Sequence, residues 1–235
     1  MIKTKNQPYF LLFTFFALLF LSQAFLFVKW VRYVVPTLPF IYLIVAIALT
    51  DFLNKKRQPY SHIAIATIFI VSSIFASSYL ITAFVQQDTR LVARDFAKKN
   101  IPAASSIMSE VYDMGIVPFN GAFSYKNISL FNFYELDNKS PDWTIAALTT
   151  RLSTTDYIIL PSQRVIKTRL LNKFKFPFAN AFYHSLTTDH LLYQKIYETP
   201  CDIFCKITYL GDPVYRYEQT ANVFDRPTVM IYKKM

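Results

Sequence analysis

The sequence predicts a membrane α-helical region of three transmembrane helices, followed by an α/β extracytoplasmic domain with a mixed sheet. Three observations predict it. Residues 9–28, 33–50 and 60–85 form long runs without Asp, Glu, Lys or Arg, each near the roughly 20 residues a helix needs to cross about 30 Å of hydrocarbon. Cations gather between the runs, at Lys29 and Arg32 and again at Lys55, Lys56 and Arg57. Residues 86–235 then read as an ordinary globular sequence of about 150 residues, long enough to bury its own core. The chain therefore divides into a transmembrane region, 1–85, and a soluble α/β domain, 86–235.

The first run follows Lys3 and Lys5 and lacks a small-residue cleavage site, so it reads as a membrane helix and not as a removed signal peptide. The stretch Lys29–Pro39, KWVRYVVPTLP, sets two cations, interfacial aromatics and two prolines between the first two runs, as a tight turn at a membrane surface does. In the third run, Ser72, Ser73, Ala76, Ser77 and Ser78 fit equally a small-residue stripe suited to close helix packing and a helix that merely tolerates serine. Cations in short loops favour the cytoplasm. The terminal lysines and the Lys55–Arg57 cluster place the amino terminus inside and everything after Val85 outside, in a multi-pass cell-membrane protein.

Beyond the runs, Leu91, Val92, Phe96 and Ala97 are spaced for a helix over 86–100, which Pro102 stops. Short strands are expected at 105–109, 128–133 and 156–160. Ser140-Pro141-Asp142 signals a helix start, with Ile145, Leu148 and Leu152 on one face. Residues 163–172 read as a basic amphipathic helix and 177–186 as another. The β-branched and aromatic content of 191–198, 204–210 and 228–233 predicts three further strands. Helices alternating with strands, then a strand-rich end, suggest an α/β sandwich.

The 235 residues carry a net charge of +10 but only three glycines, which excludes the glycine-rich phosphate loops and dinucleotide fingerprints. The positive charge is dispersed and no nucleic-acid recognition motif occurs, so anionic lipid or a phosphate-bearing ligand accounts for it better than nucleic acid. There is no nucleophile elbow, no H-E-x-x-H helix and no metal-ligand spacing, so neither a metal nor another cofactor is expected. Glu110 and Asp113 form the closest carboxylate pair, and a solvated pair or a cap explains them better than catalysis. Cys201 and Cys205, four apart, fit a small-loop disulfide or two buried thiols equally. Lys29 and Arg32 lie where a second helix opens near Pro36. A lipid phosphate could meet both cations and the helix start there, although the same residues also serve as headgroup-level anchors.

The motif K-W-x-R-Y-x-x-P-x-x-P, leading into an apolar helix, resembles the late membrane region of GT-C glycosyltransferases that use polyprenyl-phosphate sugars, the protein mannosyltransferase and aminoarabinose transferase group. Arg90–Ala97, T-D-Y-I-I-L at Thr155–Leu160, Phe182–Leu192 and the closing V-F-D-R-P-T-V-M-I-Y-K at Val223–Lys233 resemble the extracytoplasmic end of such proteins, in the same order. The resemblance implies a polyprenyl-phosphate sugar as donor and an acidic catalytic residue in an early extracytoplasmic loop. This chain has no Asp or Glu before Asp51, so no catalytic residue is assigned. The expectation is the carboxy-terminal fragment or subunit of a membrane glycosyltransferase, not catalytically complete alone, that works with a missing amino-terminal transferase half on an extracytoplasmic acceptor. Whether it is an enzyme by itself is left open. The rival expectation is a three-span envelope protein, not an enzyme, whose outer domain binds a partner or a cell-wall polymer.

Overall fold

A computed structural model of the chain describes residues 7–25, 35–54, 61–111, 128–188, 191–211 and 221–235. The chain divides into two compact units, Met1–Ile74 and Phe75–Met235.

In the first unit, helix α1 spans Gln7–Ala24, a 3-10 turn covers Val35–Thr37, and α2 spans Leu38–Asn54. Pro36 and Pro39 explain the late start of α2, because proline lacks the N–H that a helix interior needs and fits only its first turn. The apolar parts of these helices are Tyr9–Ala24 and Val35–Asp51. At 1.5 Å per residue they measure about 24 and 26 Å, short of the roughly 30 Å of a bilayer core. This corrects the expectation of three transmembrane helices. Among the described residues only one helix, His62–Val85, is long and apolar enough to cross a membrane. It consists of α3 (Ser61–Leu80) and a π-helical turn, Ile81–Val85, in which the backbone widens.

The second unit is built on a five-stranded mixed sheet. Its strands are β1 (Ile107–Glu110), β2 (Ile128–Phe131), β3 (Tyr157–Leu160), β4 (Tyr193–Glu198) and β5 (Met230–Lys234), in the order β2-β1-β3-β5-β4. β1 pairs parallel with β2 and β3, whereas β5 runs antiparallel to β3 and β4. The three parallel strands therefore end together at Glu110, Phe131 and Leu160. Met230, which opens β5, pairs with Leu160 at that same carboxyl edge.

Strand side chains alternate between faces, and the core divides accordingly. Met108, Ile158, Leu160, Met230 and Tyr232 pack in one layer with α5 (Pro141–Thr154), α6 (Arg164–Leu171) and α7 (Pro177–Thr187). Ile107, Tyr157, Ile159 and Ile231 pack in the other, against Ala93 and Ala97 of α4 (Thr89–Asn100). All four residues of β3 are buried, as a strand covered on both faces requires. Caps fix the helix starts. The Asp88 carboxylate accepts from the Arg90 N–H, and the Ser140 hydroxyl accepts from the Trp143 N–H ahead of Pro141.

One expected strand is a helix. Residues 204–210 carry a strand-like mixture, yet Ile203–Thr208 forms α8. Asp202 caps it by accepting from the Cys205 N–H at 2.9 Å, and Cys201 is bonded to Cys205 one turn on. Cap and cross-link together override β-propensity, which depends mostly on the neighbours a strand finds.

Candidate functional site

Several polar side chains of the second unit meet at the carboxyl edge of the sheet, together with the last turns of the apolar helix. Four consecutive residues of the closing motif make the attachment. Asp225 accepts from the Tyr79 hydroxyl at 2.8 Å. Arg226 donates to the Gln86 side-chain oxygen at 3.1 Å and to the Pro200 carbonyl at 2.8 Å. The Pro227 carbonyl accepts from the Thr89 hydroxyl at 2.7 Å, and the Thr228 carbonyl from the Gln163 amide at 2.8 Å. The D-R-P-T portion of the motif thus ties the end of α3, the start of α4 and the start of α6 to the approach of β5.

The disulfide belongs to the same junction. Cys201 and Cys205 bracket Asp202, whose second carboxylate oxygen accepts from the Gln86 amide. Gln86 is therefore held on one side by Asp202 and on the other by Arg226. Partial burial pushes the Asp202 carboxyl up, but the Cys205 N–H, Gln86 and Arg226 outweigh it, and the net shift is downward. Burial lowers the Arg226 guanidinium, and Asp202 partly restores it. At Asp88 desolvation is likewise outweighed, by the side-chain and N–H bonds of Arg90, and the carboxyl stays below its ordinary range. A cleft of about 280 Å³ opens beside the junction, between Thr82, Gln87, Arg90 and Phe224.

Further along the edge, Glu110 ends β1 almost fully buried. Its carboxylate accepts from the Tyr183 hydroxyl of α7 at 2.6 Å. Burial, then the Glu110 charge, push the Tyr183 phenol well above its usual value. Nearby, the Arg169 guanidinium is buried 3.8 Å from the ring centre of Phe176 and 4.7 Å from that of Tyr134, where cation–π attraction offsets part of its desolvation. This carboxylate–phenol pair locks β1 to α7. No group of three metal-ligating side chains occurs among the described residues.

A second cleft, of about 470 Å³, lies between α5 and the end of β2. Trp143 and Arg151 stand along its helical wall, and Asn132 and Glu135 on the opposite wall. Trp143 is 45% exposed, with the Lys139 ammonium 5.8 Å from its ring centre.

Of the residues singled out from sequence, Cys201 and Cys205 are joined to each other. Glu110 is buried and bonded to Tyr183, which the reading of it as a solvated pair or a cap did not foresee; Asp113 lies outside the described residues. Lys29 and Arg32 also lie outside them. Gln86, Asp202, Asp225 and Arg226 were missed. The side-chain bonds that join them to one another and to Tyr79 link residues 116 to 146 apart in the chain, which no local pattern marks; the one available signal was the closing motif itself.

No family model, no curated protein and no solved structure matches this chain.

Proposed function

We propose that this chain is the membrane-attached, non-catalytic end of a glycosyltransferase that draws its sugar from a polyprenyl-phosphate carrier. In this reading His62–Val85 crosses the membrane and the α/β domain stands outside the cytoplasm. There it caps the side from which the acceptor approaches, and the acidic base is supplied elsewhere in the assembled enzyme. The carrying observation is the junction. The D-R-P-T residues, which lie in a block resembling the extracytoplasmic ends of such transferases, fasten a membrane-length helix to the carboxyl edge of the sheet. Two features support the sidedness. Lys55, Lys56 and Arg57 precede the helix, as cytoplasmic flanks do, and the Cys201–Cys205 disulfide suits an oxidising compartment.

The test is a transfer assay on the purified chain with a labelled polyprenyl-phosphate sugar. The reading expects no turnover from this chain by itself; robust transfer would contradict a non-catalytic role.

The cleft beside Trp143 favours a second reading, an envelope domain that binds a partner or a cell-wall polymer. An exposed indole flanked by Glu135 and Arg151 offers both an apolar platform and charged hydrogen-bonding groups. Binding of isolated wall polymer that Trp143→Ala abolishes would favour this reading over the first.

A further inference from the structure

Helix α6 follows β3 directly and begins at the carboxyl edge of the sheet. At its start, Gln163 donates to Thr228, and the Arg164 guanidinium is 5.8 Å from the centre of the Phe224 ring. Phe224 shares a cleft with Thr82 and Phe84, in the last turn of the membrane-length helix. Past the far end of α6, α7 begins at Pro177. Its Phe178 and Ala179 N–H groups donate to the Asp137 carboxylate at 2.8 and 3.2 Å, just beyond the carboxyl end of β2. Both ends of the α6 segment are thus anchored on the edge where α3 arrives. The eight residues of α6 itself measure about 12 Å.

The chemistry of this segment is one-sided. Val165, Ile166 and Arg169 point inward and are buried, whereas residues 171–175 are all exposed. Leu171 is 70% and Phe174 is 89% exposed. Lys173 and Lys175 flank that phenylalanine, the Lys173 ammonium lying 5.3 Å from its ring centre. Arg164 and Lys167 add to the charge, and no acidic residue occurs between Asp156 and Asp189. An apolar tip within a cationic collar fits the boundary of a bilayer containing anionic lipid. There the ring finds the acyl boundary while lysines meet phosphate, each worth about 1 kcal/mol near such a surface.

We infer that Leu171, Phe174, Lys173 and Lys175 rest on the anionic membrane surface and give the domain a second point of attachment beside α3. This rests on the reading of His62–Val85 as a membrane span. The domain is then held at two points, with the carboxyl edge turned toward the lipid.

The test uses the full chain in phosphatidylcholine vesicles, with and without phosphatidylglycerol. Trp30→Phe and Trp143→Phe remove both native tryptophans, and Phe174→Trp places a single reporter at the tip. Quenching of about twofold by brominated lipid is expected, stronger with phosphatidylglycerol and abolished by Lys173→Glu with Lys175→Glu. A reporter untouched by brominated lipid but open to aqueous iodide, in a chain that resists alkaline extraction, overturns the docking and leaves the span intact. A chain that alkali extracts overturns the span and the docking with it.

Discussion

Arg226 holds two different segments at once, through the Gln86 side chain and the Pro200 carbonyl. A hydrogen bond from a charged donor contributes about 1.5–3 kcal/mol, and part of that loss falls on the partner left behind. Arg226→Ala should therefore lower unfolding stability by about 2–3 kcal/mol, read as a shifted denaturant midpoint at unchanged slope. The carboxylates nearby give a sign for pH. Asp88 and Asp202 are both held below their ordinary value in the fold, so the unfolded chain takes up protons first as pH falls. Their contribution is fully present above the usual carboxylate range, near pH 4, and is lost as pH drops through the lower folded values. Asp202→Asn should blunt that acid loss in a series of urea midpoints. Tyr183 behaves in the opposite sense. Its raised phenol adds stability that is complete below about pH 10 and lost above it, where the unfolded chain ionises first. Tyr183→Phe should flatten the alkaline limb of the same curve. The Arg226–Gln86, Asp202–Gln86 and Glu110–Tyr183 pairings were not legible in sequence, because each joins segments that only the finished fold brings together.

Elements were more legible where a cap or a periodicity marked them. Ser140-Pro141 before α5 acts locally, through a side-chain oxygen one turn away, and a sequence records such a neighbour directly. The helix expected over 86–100 was legible from its periodicity, though Asp88 proves to be its cap and not part of it. The buried run Tyr157–Leu160 could be read because its flanks are turn residues. Residues 204–210 could not, since the choice between strand and helix there rests on a cross-link whose existence spacing leaves open. That makes α8 a test of the account. Closing so short a loop is worth about 2 kcal/mol in the chain-entropy picture, so Cys201→Ser with Cys205→Ser should cost about that much. Amide exchange should quicken over Ile203–Thr208 and at Gln86, whose carboxylate partner the disulfide brackets. The strands themselves should tolerate little. Ile158→Ala, at a fully buried position, is expected to cost about 2–5 kcal/mol.

At the scale of the whole molecule, composition announced an apolar region followed by a folded domain, but not how many helices reach across a bilayer. Apolar runs in sequence set an upper limit on span length; proline and the actual helix ends set the real one, and they leave His62–Val85 as the single membrane-length helix among the described residues. The closing motif marked a site whose chemistry proves mechanical. Its Asp225, Arg226, Pro227 and Thr228 are engaged in holding helices to the sheet, and Glu110 in holding β1 to α7. The proposed arrangement, a capping domain outside the membrane on one span, depends first on sidedness. The direct measurement is a pair of carboxy-terminal fusions after Met235, one to a phosphatase active only outside the cytoplasm and one to a fluorescent protein that matures only inside. An active phosphatase with a dark fluorescent fusion is the predicted result; a bright fluorescent fusion with an inactive phosphatase would contradict it.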